Sequence, residues 1–345
     1  MKEALIVIGI ILGVIFVLLL FFYIIITPQL NKFFCRMDFK KGNGFISYDD
    51  IKDKYERNEY SFKSGKNNIK AYLYKGTKED DLIVYVHGMC EGHQGYMSDI
   101  ISLVNRGYNV FTYDFTGTGE SEGKYYSGLD QQRYDLHSAL KFLKHNNLFG
   151  YKNIFLYGHS MGAYAVSITN DHIIKAKVAI SGFNSHTKEL VSAFSQGKNK
   201  VVVAFVSILV KFKYFIDRGL DYDLKASKML NKCKCNTLII HGSNDEIVPY
   251  KTQSINSKKD KIKNEKIEFM VIDNEFHNTH NSIIASTECV KYQREKQKIF
   301  DEAIKEGKTK AEARSLMVKD VDVFKFNEAN EELMEVVDKF YQSHK

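Results

Sequence analysis

Short β-type runs alternate with helix-like segments along most of this chain, and that alternation restricts its possible folds more than any other feature. The β-type runs are continuously apolar, β-branched or aromatic, as strands buried on both faces are. Such alternation predicts an α/β protein whose mostly parallel sheet carries helices on both faces. The predicted strands are 82–88, 109–115, 154–160, 176–183, 237–242 and 266–273, with helices over 96–106 and 129–145 and a hairpin over 60–76.

One strand-to-helix junction carries a chemical signature. Residues 154–166 read IFLYGHSMGAYAV, which encloses Ser160 between Gly158 and Gly162. The β-type run ends just before the serine, and the small residues after it suit a helix packed close to the strand. This is the G-x-S-x-G nucleophile elbow, which holds a serine hydroxyl out at the sheet's edge. We therefore predict that Ser160 is a catalytic nucleophile.

A serine nucleophile requires a base and an orienting acid, and the last two predicted strands end beside candidates for both. Asp245 follows the strand TLIIHG and is the predicted acid, with Glu246 as the alternative. The strand KIEFMVID is followed by His277 and His280. His277 lies closer to the strand end and is the predicted base, with His280 as the alternative. A metal held by both histidines lacks any supporting pattern, so neither metal nor cofactor is expected.

Two backbone N–H groups are needed for an oxyanion hole. One is predicted at Met161, directly after the nucleophile. The other is predicted in the loop after the strand LIVYVHG, at Met89, with Cys90 as the second choice. The identity of these side chains matters little, because the donor is the peptide.

These motifs together resemble the α/β-hydrolase superfamily, in particular its monoglyceride-lipase-like and serine-aminopeptidase-like (S33-type) branch with small membrane-anchored members. The resemblance implies an α/β-hydrolase fold with a small helical cap. It also implies a triad in the order Ser160, Asp245, His277. Thr116 departs from the family, which usually has arginine there in a structural loop. The matching motifs are VHG at 86–88, YDFTGTGESEG at 113–123, GHSMG at 158–162, HGSNDEIVP at 241–249 and His277.

The N-terminus is apolar enough to enter a membrane. Residues 4–26 contain no charged side chain, and as a helix they would span roughly 35 Å. We predict a retained single-pass anchor in the cell membrane, since neither the short apolar core nor the cleavage site of a signal peptide is visible. More basic residues follow the span than precede it, which favours a cytoplasmic domain. Export behind a short basic N-terminus is equally compatible, so the orientation is open.

The remaining segments divide the chain further. Residues 27–58 are a predicted juxtamembrane linker, and residues 59–345 the predicted hydrolase domain. Within that domain, residues 184–232 form a helical cap, whose apolar run 201–215 is predicted as lid or core rather than as a membrane contact. Residues 283–326 are a charged helical insertion, and Thr309 and Glu312 suit a capping box there.

The predicted function is hydrolysis of carboxylic esters through an acyl-enzyme, with an acylglycerol, lysolipid or similar small acyl substrate. A serine aminopeptidase is an alternative, because Glu189, Asp217, Asp221 and Asp223 of the cap could hold a substrate's amine. A catalytically idle membrane scaffold is another. The net charge of +7 comes from scattered lysines without a binding motif, so no nucleic-acid partner is expected. The five cysteines lack framework spacing and are predicted to be free thiols. The sequence carries no prediction of oligomeric state.

Overall fold

The computed structural model describes residues 1–146, 150–195 and 197–345, and its strands join in one sheet. The sheet order is β1-β2-β4-β3-β5-β6-β7-β8, and all pairs from β4 to β8 are parallel. The predicted hairpin is the antiparallel pair β1–β2. The strands are β1 (Arg57–Ser64), β2 (Asn67–Tyr74), β3 (Asp81–Val86), β4 (Asn109–Tyr113), β5 (Asn153–His159), β6 (Ile174–Ile180), β7 (Asn236–Gly242) and β8 (Ile267–Ile272).

Helices cover both faces of the sheet, as the alternation predicts. In β5, Leu156 joins the core on one face, whereas Phe155 and Tyr157 join the core on the other. Because neighbouring side chains point to opposite faces, a strand buried on both sides needs an unbroken apolar run. The α-helices are α1 (Lys2–Phe33), α2 (Met97–Asn105), α3 (Gln131–His145), α4 (Met161–Ile168), α5 (His186–Ser195), α6 (Lys200–Arg218), α7 (Ala226–Leu230), α8 (Thr287–Lys305), α9 (Lys310–Val318), α10 (Val323–Phe326) and α11 (Glu331–Gln342).

The N-terminal helix α1 is longer than its apolar segment. By length and composition it could cross a membrane, with a mean hydropathy of 3.4 in its most apolar stretch, none of which is buried. The helix continues into the predicted linker 27–58. There Phe34 is buried against Tyr126, with ring centroids 5.0 Å apart. The Arg36 guanidinium donates to the carbonyls of Gly119 and Ser121. The start of the predicted linker is therefore packed against the domain.

The predicted cap contains α5, α6 and α7. Helix α6 buries Leu209, Val210 and Tyr214 on its inner side. Its outer side lies along α1, where Phe212 contacts Phe16 and Phe205 contacts Phe22 at ring-centroid distances of 6.1 and 5.6 Å. The apolar run 201–215 is thus partly core, as predicted, and partly an exposed stripe beside α1. The exposed apolar side chains of α6 are Val201, Val202, Phe205, Ile208, Phe215 and Ile216.

The charged insertion folds as α8, α9 and α10. The predicted capping box is present at the start of α9, where Thr309 N–H donates to Glu312 Oε2 at 2.8 Å. The last helix, α11, begins at Glu331, and the Asn330 side chain caps it by accepting from Leu333 N–H.

Candidate active site

Ser160 lies in the turn between β5 and α4, at the carboxyl edge of the sheet. Its backbone has φ 55° and ψ −117°, in the left-handed half of backbone space that non-glycine residues rarely occupy. The turn is held on one side by a hydrogen bond from Ser160 N–H to the Ile180 carbonyl at 2.8 Å. Strained backbone of this kind is a recurrent feature of functional sites.

The two glycines of the motif are required by close backbone contacts. A Cβ atom on Gly162 would lie 1.9 Å from the carbonyl oxygen of Val86, at the end of β3. A Cβ atom on Gly158 would lie 2.6 Å from the backbone of Gly162 itself. Both distances are far below van der Waals contact, so α4 can approach β3 and β5 this closely only with glycine at both positions.

The histidine that faces Ser160 is His280. Its Nε2 lies 2.9 Å from Ser160 Oγ, and its Nδ1 lies 2.8 Å from Asp245 Oδ2. The prediction that His277 stands beside the serine is wrong. His277 instead lies with Nε2 3.0 Å from Thr287 Oγ1 and Nδ1 3.3 Å from the Ser282 carbonyl. His280 is the alternative base that the sequence also offers.

The path of the loop after β8 explains this difference. His277 closes a turn, with its N–H donating to the Asn274 carbonyl at 2.8 Å. The chain then passes over the end of β7, where Asn244 N–H donates to the Asn278 carbonyl at 2.9 Å. This crossing carries His280 to the Asp245 side of the loop. Proximity to the strand in sequence was therefore a poor guide to proximity in space.

Asp245 is buried and its carboxylate is surrounded by donors. Its Oδ1 accepts from the backbone N–H groups of Ile247 and Val248 at 3.0 and 2.7 Å. Its Oδ2 accepts from His280 and lies 3.2 Å from His241 Nε2. Burial alone would raise the pKa of Asp245, but the hydrogen bonds from His241 and His280 outweigh it and hold the pKa well below its usual range. The group is therefore a carboxylate at neutral pH.

Glu246, the alternative acid, has a different position. It is exposed, and its Oε2 accepts only weakly, at 3.4 Å, from the backbone N–H of His280. It supports the peptide of the histidine and leaves the imidazole to Asp245.

A further histidine, His159, holds the backbone of His280 in place and was not predicted from the sequence. His159 Nε2 lies 2.9 Å from the His280 carbonyl, and its Nδ1 lies 2.9 Å from Tyr96 Oη. Burial lowers the pKa of His159 to about 3, so its ring is neutral at physiological pH. A neutral ring fits these partners if Nε2 donates and Nδ1 accepts. The one feature of the sequence that could have indicated this role is the position of His159, directly before Ser160 in the motif.

The loop after β3 runs beside the serine. A Cβ atom on Gly88 would lie 3.2 Å from Ser160 Cβ, so the next residue, Met89, is close to the nucleophile. The loop is fixed from behind by Gln132 Nε2, which donates to the His87 carbonyl at 2.7 Å. Met161 is the first residue of α4. The predicted oxyanion donors Met89 and Met161 thus flank Ser160, and their role stays a prediction.

The loop in which Thr116 replaces the family's arginine is anchored by other groups. Thr116 N–H donates to Asp135 Oδ2 at 2.8 Å, and its hydroxyl donates to Oδ1 of the same carboxylate at 3.1 Å. The guanidinium of Arg36 reaches the later part of the loop from the end of α1, as described above. These hydrogen bonds anchor the loop without an arginine at position 116.

A cavity of about 420 Å³ lies beside Met89, between the loop after β3 and the charged insertion. Met89 lines it from the core side, together with Asn281, the neighbour of His280. Ala285, Cys289 and Met317 line it from the insertion side. Helices α8 and α9 therefore form one wall of a chamber beside the candidate active site. Within the described part of the chain, no group of three or more His, Cys, Asp or Glu side chains could hold a metal ion.

Known proteins are similar to parts of this chain. The sequence profile of the family described as Serine aminopeptidase, S33 (Hydrolase_4) matches residues 77–193, which include Ser160 but neither Asp245 nor His280. The chain is 22% identical over 221 residues to lysophosphatidylserine lipase ABHD12 of Danio rerio, a match that covers 59% of this chain and 55% of that protein. It is 30% identical over 121 residues to proline iminopeptidase of Saccharolobus solfataricus, covering 34% of this chain and 37% of that protein.

The chain therefore spans about half the length of the first of these relatives and over a third of the second. Among solved structures, the esterase Pf2001 of Pyrococcus furiosus superposes with a TM-score of 0.54 at 20% identity. That superposition covers 79% of this chain and 97% of the esterase chain. At this level of identity the likeness concerns the fold.

Proposed function

Because this chain belongs to the α/β-hydrolase superfamily, we propose that it is a serine hydrolase that cleaves carboxylic esters through an acyl-enzyme. The observation that carries the proposal is the continuous hydrogen-bonded series from Ser160 through His280 to Asp245, with distances of 2.9 and 2.8 Å. A nucleophile, a base within hydrogen-bond reach and an acid that orients the base are the parts such catalysis needs.

In the proposed mechanism, Ser160 Oγ attacks the ester carbonyl while His280 Nε2 takes its proton. Asp245 accepts from Nδ1–H, which fixes the tautomer of the imidazole and stabilises the imidazolium that forms. The N–H groups of Met89 and Met161 would donate to the developing oxyanion. His280 then protonates the leaving alcohol, and water, activated by the same imidazole, releases the acid from Ser160.

We propose further that the enzyme is anchored to a membrane by α1 and acts on acyl esters of lipids. Helix α6 supports this, since its exposed apolar stripe lies along α1 and would reach the bilayer with it. Ile208 and Val201, at 55% and 78% exposure, are the most open apolar side chains of that helix. The lysophosphatidylserine lipase among the relatives agrees with a lipid substrate.

We also propose that residues 59–345 divide into a core, a cap (184–232) and an insertion (283–326).

The test uses the full chain in detergent micelles, a fluorophosphonate probe and p-nitrophenyl esters of increasing acyl length. Ser160→Ala should lose labelling, and both it and His280→Ala should lose turnover by about 10⁴-fold or more. His277→Ala is the matched control, a histidine of the same loop, and should stay within about tenfold of wild type. Wild-type protein that neither labels nor hydrolyses any ester would contradict the proposal and favour an idle scaffold.

A serine aminopeptidase is a second candidate, favoured by Glu189 and by the proline iminopeptidase match. Asp217, Asp221 and Asp223 each already face a lysine or arginine side chain. Glu189 is buried, and its Oε2 has no hydrogen-bond partner among the described residues. Burial, with the charge of Asp245 adding to it, raises the pKa of Glu189 to about 8. A substrate ammonium would therefore have to displace a proton from this carboxyl to pair with it.

Glu189→Gln separates the two activities. Under the aminopeptidase alternative, this change should lower kcat/KM for aminoacyl p-nitroanilides by about tenfold or more, since a charged partner is lost. Under the esterase proposal, aminoacyl substrates are poor for both proteins and ester turnover changes little.

A further inference from the structure

A second cluster of reactive side chains lies apart from Ser160. Cys233 and Cys235 come directly before β7, and their Sγ atoms are 3.4 Å apart. Lys177, in the middle of β6, pairs in register with Thr237, whose Oγ1 lies 3.8 Å from Cys233 Sγ. Ser160 follows the carboxyl end of β5, which is parallel to β6 and β7. The two thiols therefore lie at the opposite edge of the sheet from the candidate active site.

The charge of Lys177 is the unusual feature of this cluster. The residue is completely buried, and its Nζ donates to the carbonyl of Thr169 at 3.0 Å. In the part of the chain that the structure describes, no carboxylate forms an ion pair with it. A buried ammonium without a counter-ion is strongly unfavourable. The thiolate of Cys233 is the one group of this cluster that can supply the missing negative charge.

The surroundings of the two sulfur atoms fit that assignment. The hydrogen bond from Cys235 and the positive charge of Lys177 lower the pKa of Cys233, against the effect of burial. The same hydrogen bond, together with burial, raises the pKa of Cys235. One sulfur atom is thus favoured as the thiolate and the other as the thiol that donates to it.

Cys289 and Cys90 differ from this pair. Burial raises the pKa of Cys289 to about 12, and its thiol donates to the Phe326 carbonyl at 3.1 Å. Cys90 donates to the Gly92 carbonyl at 2.9 Å, and burial raises its pKa as well. Both have only neutral acceptors and behave as ordinary buried thiols.

We propose that Cys233 and Cys235 form a redox-active dithiol, with Cys233 as the nucleophile and Cys235 as the resolving thiol. The oxidant is a small peroxide. The Cys233 thiolate attacks one peroxide oxygen, an S–O bond forms, the O–O bond breaks and the leaving hydroxide takes up a proton. The Cys235 sulfur, losing its proton, then attacks the sulfenic sulfur, a disulfide forms and a second water leaves. Overall, two thiols and hydrogen peroxide give one disulfide and two waters.

A cavity of about 650 Å³ is lined by Cys235, whose Sγ lies 3.4 Å from that of the buried Cys233. Peroxide would therefore reach Cys233 from the side of Cys235. Hydrogen peroxide is small and uncharged, so the nearby positive charges do not hinder its entry, and they favour the thiolate that it meets. The lysines that line the cavity are Lys175, Lys232, Lys234, Lys266 and Lys345.

The experiment treats the reduced full chain in detergent micelles with one equivalent of hydrogen peroxide and maps the products after trypsin digestion. Lys234 separates the two cysteines, so trypsin cleaves between them and a disulfide joins two peptides that are otherwise separate. The expected product is that cross-linked pair, with loss of two hydrogens, while Cys289 stays reduced. In Cys235→Ser, a dimedone-type reagent should trap the sulfenic acid at Cys233.

Lys177→Met tests the role of the charge, and Lys177→Arg is the matched control. Removing the charge should slow cross-linking by about tenfold, because Lys177 no longer favours the thiolate of Cys233, and arginine should restore most of the rate. Near-ultraviolet circular dichroism identifies a variant that fails to fold, in which case the wild-type and Cys235→Ser results decide. The proposal is overturned if peroxide gives no cross-link, or if Cys289 is oxidised as fast as Cys233. None of these outcomes depends on ester hydrolysis, so this inference and the proposed function are tested separately.

Discussion

The carboxyl edge of the sheet and the cap helix α6 differ in how their side chains are held in place. At the edge, Asp245 and His280 are buried, and their polar atoms are paired at 2.7–3.0 Å with groups from their own and neighbouring loops. Along α6, by contrast, Val201 and Ile208 are exposed and have solvent or lipid, rather than a fixed partner, on their outer side. In the first region, hydrogen bonds fix the positions of individual atoms. In the second region, the side chains contribute apolar surface area and no fixed contact on their outer side.

This difference separates two questions about function. The reaction depends on a few atoms whose displacement by 1 Å would cost orders of magnitude in rate. The proposed choice of a lipid substrate and the proposed attachment to a membrane would depend on apolar area, to which many side chains each add a little. Single substitutions should therefore have large effects at the edge and small effects on α6.

The largest effect is expected at the acid of the candidate triad. Asp245→Asn should lower kcat for p-nitrophenyl esters by about 10⁴-fold, because an amide cannot stabilise the imidazolium and favours the wrong tautomer of His280. Glu246→Gln is the matched control, since that side chain contacts only the peptide of His280, and it should stay within about tenfold of wild type. Equal losses in the two variants would mean that the carboxylate beside the imidazole is not the orienting acid.

How much of this site could be predicted from the sequence follows from the same difference. The positions of the strands along the chain and the elbow were predictable because buried parallel strands need continuous apolar runs and the tight turn at Ser160 needs glycine on both sides. The position of Asp245 beside the histidine was predictable because it lies in the short loop just after β7, at the same sheet edge as Ser160.

The base was not predictable in the same way. His277 and His280 lie in a loop whose path is set by contacts with β7, such as the hydrogen bond from Asn244 to Asn278. Such contacts join residues distant in sequence and leave no local pattern. The support of His280 by His159 is also nonlocal, although position next to Ser160 restricted it to the site.

The second prediction concerns the backbone of the elbow. Gly162→Ala should lower the free energy of unfolding by about 3 kcal/mol or more, because its Cβ would meet the Val86 carbonyl oxygen at 1.9 Å and α4 would have to move away from β3. Gly9→Ala, in α1, is the control: an added Cβ there meets nothing within 4 Å. Denaturant unfolding of the full chain in micelles measures both. A Gly162→Ala protein as stable as wild type would show that the contact relaxes easily.

The third prediction uses the neutral ring of His159. Its pKa of about 3 in the folded protein is below the ordinary value of about 6.5, so only the unfolded chain takes up this proton as the pH falls from about 6.5 towards 3. The group should therefore lower the free energy of unfolding by about 1.4 kcal/mol per pH unit between pH 6 and pH 4. His159→Gln keeps a donor and an acceptor and should reduce that slope. Denaturant unfolding at several pH values compares wild type with His159→Gln, and equal slopes in the two proteins would contradict the prediction.

The smallest effect is expected on α6. Ile208→Asp should lower turnover of a monoacylglycerol presented in lipid vesicles by about fivefold. The reason is that partial loss of one apolar side chain from the bilayer is worth about 1 kcal/mol. Turnover of a short, water-soluble ester should not change, because Ile208 is remote from the atoms that hold Ser160, His280 and Asp245 in place. The ratio of the two rates is the measurement.

Leu316→Asp provides the matched control for this last change. Leu316 is an exposed apolar residue of α9, at 39% exposure, on the charged insertion rather than on α6. If α6 lies on the membrane, the aspartate should matter at position 208 and not at position 316. Equal effects at both positions would indicate a general loss of stability. No effect at either would leave α1 as the only contact with lipid, and the exposed stripe of α6 would then be a lid surface, as the sequence had predicted.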